Sequence, residues 1–123
     1  MSSSELASSL GRATRVVRRF VNGELSAPAF VSEYENFYYY EALDGHEKSS
    51  AQNDEARARF WIAIDLHRRI QEEVVNRIAL APEFSPEVMR GAGRIGELEA
   101  RERARAICAE KGLDAILEKL EGA

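Results

Sequence analysis

The sequence predicts an all-α protein, an antiparallel four-helix bundle with a short C-terminal helical extension. Three observations predict it. Apolar residues recur at intervals of three and four through most of the 123 residues. Helix-capping and helix-stopping residues stand between the periodic stretches. No segment shows the two-residue alternation of a half-buried strand, and no repeat of 20 to 50 residues is present.

The first helix is expected at about residues 4–22, with Leu6, Leu10, Ala13, Val17, Phe20 and Val21 as its apolar stripe. Gly23 stands where a helix end favours positive φ. Ser26 is a good N-cap for a second helix, and Pro28 is tolerated in its first turn because that N–H has no intrahelical partner. Phe30, Val31, Tyr34, Phe37 and Tyr38 carry its spacing onward, to about Leu43. The short link between the two helices favours an antiparallel hairpin.

The polar residues 44–52 read as a loop. A long third helix is expected from Asn53 or Asp54 to about Ala81, just before Pro82. Its stripe is Phe60, Ile64, His67, Ile70 or Gln71, Val74 and Ile78, widened by Trp61 and Val75. Ser85-Pro86-Glu87 is a helix start. Gly91, Gly93 and Gly96 predict a kink or break, with a helix resuming at Gly96 or Glu97 and ending at Gly112. Leu113, Ile116, Leu117 and Leu120 describe a final short helix.

Length and composition fit one domain over residues 1–123. Apolar residues form 45% and charged residues 31% of the chain, too apolar for a disordered one. The single cysteine, Cys108, has no intrachain partner for a disulfide, which points to a reducing compartment. The N-terminal MSSSELASSLGR lacks a basic start followed by an apolar block, and no stretch reaches membrane-spanning length. A cytoplasmic location is expected. The net charge of −4 disfavours nucleic acid and anionic membranes as partners.

Catalytic equipment is sparse. Two histidines and one cysteine lie far apart, and neither His46 nor His67 has the Glu-x-x-His spacing of di-iron bundles. Gly91–Gly96 matches the bare pattern G-x-G-x-x-G but follows no strand. His67 reads as a hydrogen-bonded core histidine, Cys108 as a buried structural thiol and Trp61 as a core anchor. No enzyme activity, cofactor or metal is expected.

Charge is unevenly spread. Residues 33–55 hold Glu33, Glu35, Glu41, Asp44, Glu47, Asp54 and Glu55 against Lys48 alone, whereas the first helix carries Arg12, Arg15, Arg18 and Arg19. The acidic stretch also contains all four tyrosines, and Tyr38, Tyr39 and Tyr40 cannot share one helical face. Tyrosines beside carboxylates suit a protein-binding surface, with the carboxylates steering a basic partner. The candidate partner-binding residues are Glu33, Tyr34, Glu35, Tyr38, Tyr39, Glu41, Asp44 and Glu47. The competing reading is a solvated helix face.

Val16–Phe37 reads VVRRFVNGELSAPAFVSEYENF. With Phe20, Gly23, Glu24, Leu25, Ser26, Ala27 and Phe30 in their places, it resembles the opening helical hairpin of the colicin D-like bacterial immunity proteins. That resemblance implies a small bundle that binds a cognate toxin nuclease, often a tRNA-cleaving one, and occludes its basic active site. The alternative expectation is a small helical interaction module with no catalytic activity: a phage-type inhibitor, a regulator or an oligomerising scaffold. A homodimer through Phe60, Trp61 and Ile64 would favour that alternative.

Overall fold

The structure is a computed structural model and describes residues 3–38, 55, 57–79 and 93–122. It is an all-helical bundle. The described α-helices are α1 (Ser3–Val21), α2 (Ala27–Tyr34), α3 (Trp61–Glu73), α4 (Glu97–Lys111) and α5 (Leu113–Glu121), with a 3-10 turn at Val75–Arg77. Helix α1 is central and packs on α2, α3, α4 and α5. Its buried stripe is Leu6, Leu10, Ala13, Val17 and Phe20, the spacing the sequence shows.

The α1–α2 hairpin forms as its residues dictate. Gly23 adopts φ +80, and the Ser26 hydroxyl accepts from the Ala29 amide at 3.3 Å. The turn stacks Phe30 on Phe20, ring centroids 4.2 Å apart and nearly parallel at 6°. Helix α2 stops at Tyr34; Phe37 and Tyr38 are helical again, and residues 39–43 of the expected helix lie outside the described residues. Glu35 and Asn36 both adopt positive φ, 51° and 50°, which ends the α-helical ladder. Asn36 then accepts a hydrogen bond from Gln71 Nε2 at 3.1 Å. The apolar spacing Phe30, Tyr34, Phe37, Tyr38 runs through this break, because all four remain buried.

The third helix is also shorter than expected. Glu55 and residues 57–59 are helical, Phe60 leaves helical geometry at φ −108 and ψ 24, and α3 runs from Trp61 to Glu73. At Ile78 the backbone is extended and forms an isolated parallel bridge with Ile95. The Ala79 amide donates to the Ile95 carbonyl and the Ile95 amide to the Arg77 carbonyl, each at 2.9 Å. These bonds replace helical ones, and the β-branched pair Val74-Val75 eases the exit from the helix. The helix expected at Ser85-Pro86-Glu87 and the loop at 44–52 lie outside the described residues.

The last two helices match the sequence. Gly96 precedes α4, and Gly112, at φ +74, ends it and starts α5. Helix α4 is rich in Arg and Glu, yet it works as a clamp on the hairpin. Arg101 donates to the Phe20 carbonyl at 2.9 Å and the Leu25 carbonyl at 3.0 Å, and Arg105 donates to the Val21 carbonyl at 3.0 Å. Arg101 thus adds a charged donor to the Phe20 carbonyl, which also accepts from the Gly23 amide, and to the Leu25 carbonyl in the turn, while Arg105 serves the Val21 carbonyl at the negative dipole end of α1. Glu97 accepts from the Ala27 amide at the positive end of α2. No helix among the described residues is long and apolar enough to cross a membrane.

Candidate functional site

The core contains a chain of polar groups. Thr14 on α1, His67 on α3 and Tyr34 on α2 are all fully buried. The Thr14 hydroxyl donates to the Leu10 carbonyl at 2.6 Å, its usual partner one turn back. Its proton thus committed, the Thr14 oxygen accepts from His67 Nε2–H at 2.9 Å. His67 Nδ1 then accepts from the Tyr34 hydroxyl at 2.7 Å. Three helices are joined through one neutral imidazole. Phe37 meets the ring edge-on at 4.9 Å.

Burial makes these groups chemically quiet. It lowers the His67 pKa to about 3, with the Arg12 guanidinium pushing the same way and the Leu10 carbonyl opposing. Burial raises the Tyr34 hydroxyl well above its usual range, partly offset by Arg12. Burial pushes the Cys108 thiol up to about 11. His67 therefore serves as a core histidine and Cys108 as a buried thiol, as their positions on apolar stripes indicate. Among the described residues, no group of three or more His, Cys, Asp or Glu is placed to hold a metal ion.

The expected acidic surface is divided by the fold. Tyr34 lies inside, bound to His67, and cannot touch a partner; this corrects its place in the candidate set. Tyr38 is buried as well. Helical spacing puts Tyr34 on the core side with Phe30, and Tyr38 stays buried beyond the left-handed pair Glu35-Asn36. Glu33 and Glu35 are exposed. Glu33 faces Arg19 at 3.3 Å, and Arg12 donates to the Glu33 carbonyl at 3.5 Å. The two glutamates thus line a groove shared with Arg12, Arg15, Val16 and Arg19, where charge of both signs meets. Tyr39, Glu41, Asp44 and Glu47 lie outside the described residues.

A second surface exposes large apolar side chains. Trp61 is 58% exposed and its neighbour Ile62 is 56% exposed. Trp61 is not the core anchor its spacing suggests. The buried arc of α3 runs from Leu66 through Ala63, Ile70 and His67 to Gln71 and Ile64, which leaves Trp61 on the far side. Ile62 lines a cleft of about 150 Å³ between α3 and α5, with Phe60, Ala63, Ala115, Ile116 and Leu120 as its apolar lining. Arg59, Lys111 and Lys119 are the charged residues that line it. Lys111 is held by Asp65 at 2.5 Å. Burial pushes the Asp65 carboxyl up, but its hydrogen bonds from Lys111 and Arg68 outweigh that effect and its pKa is lowered.

Sequence reasoning passed over Thr14 and Ile62. A hydroxyl on the buried stripe of α1, facing the stripe that carries His67, was the available signal for the first. For Ile62 the signal was its place across the helical wheel from Ile64 and Gln71, at the edge of the buried arc beside Leu66. No family model matches the chain, and no curated protein or solved structure matches it either.

Proposed function

We propose that this protein is a non-catalytic binding module that docks another protein through the Trp61–Ile62 face. The carrying observation is that two adjacent large apolar side chains stand more than half exposed beside an apolar cleft. Exposed apolar surface that includes a tryptophan favours protein contacts. The partner in this reading is a cognate toxin, neutralised by occlusion as in an immunity protein. The sequence likeness of Val16–Phe37 to the opening hairpin of the immunity proteins supports it; in this chain Phe20 stacks on Phe30, Gly23 ends α1 and Ser26 caps α2. Glu33 and Glu35 would contribute at the rim.

A second reading is self-association, favoured by the same exposed pair. The test is capture by the tagged full chain from a lysate of its own organism. Three variants run beside it: Trp61→Ser/Ile62→Ser, Glu33→Lys/Glu35→Lys and Glu41→Lys/Asp44→Lys/Glu47→Lys. A basic toxin domain recovered one-to-one, and lost with the Trp61/Ile62 variant, supports the proposal. A toxin lost only with a glutamate variant moves the site to the acidic stretch. Recovery of the chain alone, sedimenting as a dimer that the Trp61/Ile62 variant dissociates, replaces the toxin reading with the second.

A further inference from the structure

The hydrogen-bond chain through His67 has a direction, and that direction makes it sensitive to acid. Thr14 gives its proton to Leu10, so its oxygen takes the Nε2 proton, and Nδ1 is left as acceptor for Tyr34. A proton added at Nδ1 meets the Tyr34 hydroxyl head-on. Tyr34 can accept from it only by turning its own proton into the fully buried space around Phe30 and Phe37.

The Leu10 carbonyl favours the imidazolium, but the charged surroundings offer it no compensation. From α1 the nearest charge is Arg12, a cation. From α2 the facing group is the Tyr34 hydroxyl, and beyond it Phe37 presents a ring edge. On α3 itself, Asp65 and Glu72 are engaged by Arg68, and Asp65 also by Lys111. From α4, Glu110 is taken up by Arg69. The imidazole's two hydrogen bonds go to hydroxyls and neither goes to a carboxylate.

We propose that Tyr34–His67–Thr14 is an acid-sensitive latch: neutral His67 ties α2 and α3 to α1, and protonation of its ring releases α2 from the bundle. The proposal stands apart from the binding reading. Release of α2 also parts Glu33 from Arg19, so the α1–α2 groove opens with it.

The sign follows from the two end states. The released ring titrates near the ordinary histidine value of 6.5, and the folded ring at about 3. Above pH 6.5 the latch is fully closed. As pH falls between these values only the released state takes up a proton, and opening rises by ~10-fold per pH unit.

Urea unfolding of the full chain from pH 7.5 to 5.0 tests this, with wild type, His46→Gln and His67→Gln compared. Glutamine keeps an acceptor for Tyr34 and a donor for Thr14 but cannot be protonated in this range. Wild type and His46→Gln should lose stability together below pH 6.5, on the order of 10-fold in the unfolding constant per unit, while His67→Gln stays flat. An equal slope in His67→Gln overturns the proposal. Nitrogen-15 spectra of wild-type His67 decide the case if that variant does not fold. A ring that keeps Nε2–H and bare Nδ1 at pH 5 supports the latch, and a folded ring that titrates near 6.5 overturns it. Faster amide exchange in α2 than in α5 at pH 5, corrected for intrinsic rate, shows that α2 is what opens; uniform exchange shows global unfolding and overturns the latch.

Discussion

Arg101 holds Phe20 twice. Its guanidinium lies 4.9 Å from the Phe20 ring centroid, and its Nε donates to the Phe20 carbonyl at 2.9 Å. A second donor reaches Leu25 across the turn. One side chain of α4 therefore fixes the end of α1, the hairpin turn and the ring on which Phe30 stacks.

Arg101→Ala should cost roughly 2 kcal/mol of folding stability, since it leaves two carbonyls without a charged donor. Arg101→Lys should recover part of the loss but not the forked contact. Urea unfolding at neutral pH reads both, with an unchanged denaturant slope. A loss under ~0.5 kcal/mol for the alanine variant would remove the clamp from the account of the hairpin.

Thr14→Val keeps the shape of the side chain and strands the His67 Nε2–H in the core. The expected cost is ~1–3 kcal/mol, against a smaller loss for Thr14→Ser. Combined with Tyr34→Phe, the two effects should be non-additive by at least ~0.5 kcal/mol, because both act through one imidazole. Additive losses in a double-mutant cycle would mean the two bonds are independent.

Cys108 should be nearly inert in the folded protein. With its thiol pushed up to about 11, the thiolate needed for alkylation is scarce. Modification by iodoacetamide at pH 8 is expected to be slower than in urea by on the order of 100-fold or more. Comparable rates in the two conditions would contradict the burial of α4's inner face.

Trp61 is the sole tryptophan, so fluorescence reports on it alone. Its emission should be red-shifted and readily quenched by iodide in the free protein. Trp61→Ser should change stability by no more than ~0.5 kcal/mol, as for other surface positions. A blue-shifted, protected tryptophan in the isolated monomer would undo the docking face.

Apolar spacing made most of the helical content legible, because burial and periodicity are the same fact seen twice. It could not show where helices stop. Phe30, Tyr34, Phe37 and Tyr38 stay buried across the left-handed pair Glu35-Asn36, and Val74, Val75 and Ile78 stay buried across the exit from α3. In both places the chain leaves the helix without leaving the core, so the pattern continues through the break. Glycine and serine gave sharper boundaries at Gly23, Ser26 and Gly112, where the backbone itself demands them. The candidate site was less legible. The tyrosines drew notice as surface groups, yet Tyr34 is the hydroxyl that pairs with the core histidine. Trp61 drew notice as core, yet its neighbours on the wheel turn it outward. Which polar residue meets which across two helices is set by packing, and Thr14 carries no sign of His67 in its own neighbourhood of the chain.

The clamp from α4 also sets the order of events on the ribosome. Arg101 and Arg105 reach back 81 and 84 residues to the carbonyls they satisfy. The first two helices are thus translated before these arginines exist. At synthesis rates of about 5–20 residues per second, the nascent hairpin waits several seconds without the arginine donors of α4. The hairpin is accordingly completed late, only once α4 has been made.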